Sequence, residues 1–179
     1  MAFDLGNLLN QYLGGAAGAG KDQQANDDFD RVASNAPPEV LARGVSGALR
    51  SDQTPPFPNM VTQMFGQSNP NQRAGMLNQL LATVGPAVLA QLASRSGGLG
   101  GLGSLFGGGR APTEVTPEQA AQVSPDEVRE LAEKAEQENP GIVDRMGDFY
   151  AQNPTLVKAI GGAALAIALG HMAQNMRRQ

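Results

Sequence analysis

Few side chains in this sequence are equipped for chemistry. The single histidine, His171, lies in the apolar C-terminal run beside Met172, and no cysteine exists to act as nucleophile or thiolate ligand. A histidine on such a helix more often packs at an interface than serves as base or ligand. Ser94, Ser96 and Ser104 sit in or beside a glycine-rich stretch, with no base within local reach to take a hydroxyl proton. Asp126, Glu130 and Glu133 share a helix-spaced acidic run, but no histidine or second carboxylate cluster completes a divalent-ion ligand set. The run reads as a solvated helix face.

Two glycine patterns imitate nucleotide sites. Gly15, Gly20 and Lys21 have the spacing of a phosphate loop, whose glycine N–H groups cradle phosphates while lysine supplies charge. The position that needs Ser or Thr for magnesium holds Asp22, which would repel phosphate. Gly98, Gly100 and Gly103 match a dinucleotide fingerprint, but that fingerprint needs a preceding strand, and here the preceding pattern is helical. No catalytic residue, metal or cofactor is expected from these motifs, and an enzyme of unknown class ranks third among the functional readings.

The elements that would have to position such groups are all helical in pattern. Residues 159–170 carry no charged or amide side chain. At about 100° per residue, Ala159, Gly162, Ala163, Ala166, Gly170 and Ala173 fall on one arc of a helix read over 155–179. That arc is a groove of small residues flanked by Leu156, Ile160 and Ile167 on one side and Leu165, Leu169, Met172 and Met176 on the other. Small residues at this spacing let another helix backbone come close. The uncharged run spans about 18 Å, short of a hydrocarbon core of about 30 Å. A longer span takes in Lys158 and His171, which would have to reach the two interfaces. Arg177 and Arg178 suit either a helix C-terminus or anionic headgroups.

Charge and composition narrow the partners. The net charge is −4 with no long basic run, so nucleic acid is not an expected partner. Aromatic residues make up 4 %, so any core is aliphatic. Freedom from cysteine agrees with a reducing compartment, and the N-terminal residues, acidic at Asp4 and without a basic residue before Lys21, do not resemble a signal peptide. The expected location is cytoplasmic, with association at the inner face of the membrane left open.

In chain order, Phe3, Leu5, Leu8, Leu9, Tyr12 and Leu13 predict a short amphipathic helix, either docked on the core or acting as a lipid- or partner-binding arm. A Gly/Ala linker follows. Helices are expected from Asp27 to Asn35, from Pro38 to Leu49 and from Met60 to Phe65, the last preceded by the stiff Pro55-Pro56-Phe57-Pro58. Asn69-Pro70-Asn71-Gln72, Thr116-Pro117-Glu118-Gln119 and Ser124-Pro125-Asp126-Glu127 each spell a capping box with proline at the first helical position. Asn139-Pro140 and Asn153-Pro154 carry the first half of it. The stripe Met76, Leu77, Leu80, Leu81, Val84, Val88, Leu89 and Leu92 should be split at Gly85-Pro86, and is expected to pair with the C-terminal groove. The Ser-Gly-Gly-Leu run of 96–109 reads as a tether, or as an apolar loop in which Leu99, Leu102, Leu105 and Phe106 contact a membrane or partner.

Ser96-Gly97-Gly98-Leu99-Gly100, then Val115-Thr116-Pro117-Glu118-Gln119, then the helix from Val128 to Ala135 together resemble the YidB-like bacterial proteins over residues 96–147. The resemblance implies an all-helical bacterial cytoplasmic protein, with no catalytic residues to carry over. Residues 1–95 and the small-residue helix lie outside it.

The expected fold is all-α: a small helical bundle with a Gly-rich tether and a C-terminal small-residue helix. Residues 1–20 form an N-terminal helix and linker, 21–95 a helical half, 96–113 the tether and 114–179 an acidic helical half. The expected function is non-enzymatic, an interaction or scaffold protein that self-associates through helix packing, its partner being a second copy of itself. The alternative is a peripheral or tail-inserted membrane protein.

Overall fold

The computed structural model describes residues 4–13, 22–95, 100–106 and 114–178, with the side chains of Ala93 and Phe106 left aside. Among them the chain is all-α, without a strand. The helices are α1 (Leu5–Asn10), α2 (Asp22–Asn35), α3 (Pro38–Leu49), α4 (Phe57–Gln67), α5 (Pro70–Leu81), α6 (Pro86–Arg95), α7 (Gly101–Phe106), α8 (Pro117–Ala120), α9 (Pro125–Glu138), α10 (Ile142–Gln152), α11 (Pro154–Val157) and α12 (Gly162–Met176), with a 3-10 turn at Lys158–Ile160.

Local sequence writes many of the helix starts. All three complete capping boxes form: Asn69 with Gln72, Thr116 with Gln119, and Ser124 with Glu127 exchange side-chain and backbone hydrogen bonds. Each exchange satisfies two backbone N–H groups that a helix N-terminus otherwise leaves bare. Asn153-Pro154 opens α11 through its proline alone, with no side-chain cap. Asn139-Pro140 does not start a helix. Asn139 ends α9, its Oδ1 accepts from Gly141 N at 3.0 Å, and α10 begins only at Ile142. The side chain is spent on a turn, so no cap is left for Pro140.

The contacts divide the chain into two units, Met1–Pro56 with Val143–Gln179, and Phe57–Ile142. The division expected at 96–113 is not where it falls. One boundary lies in the proline segment at Pro56, a stiff stretch that cannot continue a helix. The first unit is discontinuous in sequence because α12 draws its neighbours from the N-terminal helices.

In that first unit α12 packs on α3, α2 and α1. Leu165, Leu169 and Met172 are fully buried, each contributing about 1.5–3 kcal/mol of apolar burial. Ala164 and Ala168 let α3 come close, and α3 answers with glycines. A Cβ on Gly44 would run into the Met172 side chain and come within 3.0 Å of the Ala168 carbonyl oxygen, and one on Gly47 would lie 2.6 Å from the His171 ring. The helices therefore meet near backbone contact. The groove expected to pair with the 76–92 stripe meets instead the start of α2 at Gly162 and the residue Tyr12 after α1 at Gly170, while α3 packs on the Ala168 and Met172 side of α12.

In the second unit α4 packs on α9, α5 on α8 and α9, and α6 on α7 and α9. Met76, Leu77 and Leu80 of the stripe are buried in this core with Met60, Met64, Phe65, Leu131 and Ala135. The stripe is split at Gly85-Pro86 as its sequence predicts. Arg73 closes α4: its Nε donates to Phe65 O at 3.0 Å and its guanidinium stacks on the Phe65 ring at 5.1 Å. A cation over the last carbonyls complements the helix dipole.

The Gly-rich stretch is partly helical. Its described residues include α7, with Leu102 and Leu105 only 1 % and 6 % exposed. Glu127, already bonded to Ser124 N, accepts from Leu102 N at 3.1 Å and so ties down the start of α7. A Cβ on Gly101 would lie 2.5 Å from Val123 Cα, so α7 rests backbone to backbone on the turn before α9. Asn78 holds the returning chain, accepting from Val115 N at 2.7 Å.

Candidate functional site

The C-terminal apolar run does not make one helix. Gly161 breaks it with φ 90° and ψ 159°, the sole positive φ among the described residues. A side chain at that conformation would clash, so glycine permits the bend. The bend separates Ala159, half-buried in the 3-10 turn, from the rest of the expected arc. Ala163 is exposed. Gly162, Ala166, Gly170 and Ala173 remain as one buried face of α12, and their own chain fills it. A Cβ on Gly162 would strike the Asp22 backbone at the start of α2. One on Gly170 would lie 3.0 Å from Tyr12 O, just past α1.

One aromatic hydrogen bond and several ion pairs accompany these neighbours. Tyr12 Oη donates to Oδ2 of Asp28 at 2.7 Å, and Asp28 also faces Arg31 at 3.7 Å. Burial, the hydrogen bond to Asp28 and the charge of that carboxylate, in that order, raise the Tyr12 pKa well above 10.0. Lys158 Nζ reaches Asp30 at 2.6 Å and Arg50 Nη2 reaches Asp144 at 2.8 Å. Both pairs are substantially exposed and add little stability in water.

Beside this face an open cleft of about 740 Å³ runs between α12, the C-terminal end of α3 and the end of α1. Its floor is Ala163, Ala166, Ile167 and Gly170; its rim carries Arg50, Asp52, Gln53 and Gln174, with His171 at the side. The turn after α3 is rigid, because Thr54 Oγ1 donates to Ala48 O at 2.6 Å and Gln53 N donates to Ser51 Oγ at 3.2 Å. Tyr12 borders the cleft, yet its hydroxyl is engaged by Asp28. The arrangement offers a floor mostly of small residues and a polar rim that holds one cation, Arg50, and one anion, Asp52, a surface for a packed side chain or helix. A second, smaller hollow is lined by Glu39, Arg43, Asp144 and Asp148.

The other sequence candidates are dispersed. Ser94 Oγ donates to Gln91 O and Ser104 Oγ to Gly101 O, each bound to its own helix. On α9, Asp126 faces Arg129 at 4.0 Å and Glu133 accepts from Gln137 at 3.4 Å. Among the described residues no three His, Cys, Asp or Glu side chains gather as metal ligands. Leu102 and Leu105 are core residues of α7 and are not available to a membrane or partner. Leu99, the Phe106 side chain, Ser96, Gly98 and the Gly15–Lys21 motif lie outside the described residues. Among the described residues no helix is long and apolar enough to cross a membrane.

No protein-family model, curated protein or solved structure matches this chain. Sequence reasoning missed Gly44 and Gly47, the glycines that admit α12. Their three-residue spacing within Pro38–Leu49 is a small-residue patch of the same kind as that on α12.

Proposed function

We propose that this chain is a non-enzymatic helical interaction protein that self-associates through α12. The observation that supports it is the side of α12 along the cleft, where Ala163 and Gln174 are exposed and Ile167 is half-buried. Ala163, with Ala166 and Gly170 on the cleft floor, admits a close approach, and the rim charges Arg50 and Asp52 are opposite in sign, so a second copy meets no excess of either charge. A cytoplasmic setting belongs to the same proposal, in line with the cysteine-free composition and the YidB-like resemblance of 96–147.

Peripheral membrane binding is the second reading, favoured by exposed Arg177 and Arg178 at the end of α12. Light scattering of the full chain, with and without vesicles containing anionic lipid, separates the two. Self-association gives a defined multiple of the monomer mass that falls on dilution, unchanged by vesicles. A monomer at all concentrations that sediments with the vesicles overturns it in favour of the membrane.

A further inference from the structure

We propose that the Glu127 carboxylate is a latch that holds α7 in the second unit, and that removing its charge frees α7 while α9 keeps its own cap. Glu127 serves two elements at once. One of its oxygens accepts from Ser124 N at 2.8 Å and completes the capping box of α9, and the other accepts from Leu102 N at 3.1 Å, 25 residues away in sequence. The other two capping boxes close with an amide, Gln72 on Asn69 N at 3.1 Å and Gln119 on Thr116 N at 3.0 Å. An amide is therefore enough for the cap. A carboxylate alone presents one acceptor oxygen to each of two N–H groups, because the second terminal atom of an amide is itself a donor. The need for a carboxylate at position 127 comes from α7.

Taken by itself α7 is weak. Six residues are too few to persist as a helix in water, and Gly101 and Gly103 weaken it further. Its form depends on its seat, where Leu102 and Leu105 are buried and Gly101 lies against the backbone of Val123. With one acceptor oxygen left, Ser124 N wins it, since a partner three residues away is held by the helix turn itself while Leu102 must be brought from 25 residues off. Release turns Leu102 and Leu105 from core residues into exposed ones.

The test is amide hydrogen exchange, residue by residue, of full-length Glu127→Gln beside the unaltered chain. Leu102 and Leu105 should exchange about tenfold to a hundredfold faster in the variant, the range for a hydrogen bond to a charged group, while Ser124, Leu131 and Ala135 keep their rates. Unchanged rates in α7 overturn the latch, and so does acceleration confined to Leu102, which means that α7 stays seated without its bond. Acceleration at Ser124 in place of α7 overturns the order of loss, and an equal acceleration throughout α7 and α9 overturns separate release. Low urea gives a second measurement on the unaltered chain. Exchange at Leu105 should barely respond to it while exchange at Leu131 rises steeply, because a local opening exposes little surface. An equally steep response at both residues makes α7 inseparable from the core and overturns the proposal.

Discussion

Tyr12 Oη lies 2.7 Å from Oδ2 of Asp28, a carboxylate only 5 % exposed, and this bond joins the segment after α1 to the middle of α2. Without it the charge would keep Arg31 at 3.7 Å as its nearest cation, across a looser gap. A hydrogen bond to a buried charge contributes about 1.5–3 kcal/mol. Tyr12→Phe should therefore lower stability by about that amount, read as a drop in urea midpoint at constant slope. An unchanged midpoint would mean that water satisfies Asp28.

Tyr150 predicts the opposite sign. It is fully buried on α10 and its hydroxyl has no hydrogen-bond partner among the described residues. A buried hydroxyl without a partner costs about 1–3 kcal/mol. Tyr150→Phe keeps the ring and removes that cost, so the urea midpoint should stay level or rise. A loss of 1 kcal/mol or more, on the order of one ordinary hydrogen bond, would show that the hydroxyl is bonded after all.

Alkaline pH acts on both tyrosines together. Burial raises Tyr150, and burial with Asp28 raises Tyr12, each above the ordinary phenol value of 10.0. A raised folded pKa gives stability that is whole below the unfolded value and is lost as pH climbs beyond it, so the loss begins above about pH 10. With two tyrosines and no tryptophan, ultraviolet absorbance reports these groups directly. Phenolate should appear in one step with the loss of helical dichroism. Ordinary titration centred near pH 10 with dichroism intact would contradict the burial of both rings.

Glycine-to-alanine changes should separate by packing. At Gly44 a Cβ meets Met172, whose flexible side chain can yield only toward the core, and the Ala168 carbonyl, which is backbone. Overpacking of this kind costs about 1–3 kcal/mol, more than the roughly 1 kcal/mol of helix propensity that alanine gains. At Gly66 on α4 nothing lies within 4 Å of the added Cβ. Gly44→Ala should lower the melting temperature while Gly66→Ala raises it slightly. The same sign at both positions would place α3 and α12 farther apart than the structure has them.

What the sequence determined by itself is local. Asn69 with Gln72, Thr116 with Gln119, and Ser124 with Glu127 start their helices because cap and acceptor lie three residues apart, within one turn. Pro86 splits the 76–92 stripe because it lacks an N–H and crowds the preceding turn. The helical spacing of Leu5, Leu8 and Leu9 likewise gave a short helix whose apolar side must be covered. Small residues at Gly162, Ala166 and Gly170 were legible as a face for close packing.

Which helix fills that face was settled by tertiary structure. A small-residue face specifies closeness and not identity, so α1, α2, the 76–92 stripe or a second copy would all satisfy it on paper. The choice required Asp22 at the start of α2 to lie over Gly162, and Tyr12, bonded to Asp28 sixteen residues away, to lie over Gly170. Likewise the glycines of 100–106 looked like a tether, since glycine weakens a helix, until Glu127 bonded Leu102 N and the core took Leu102 and Leu105. Contacts between residues far apart in sequence depend on which surfaces meet, and spacing along one helix carries no record of that.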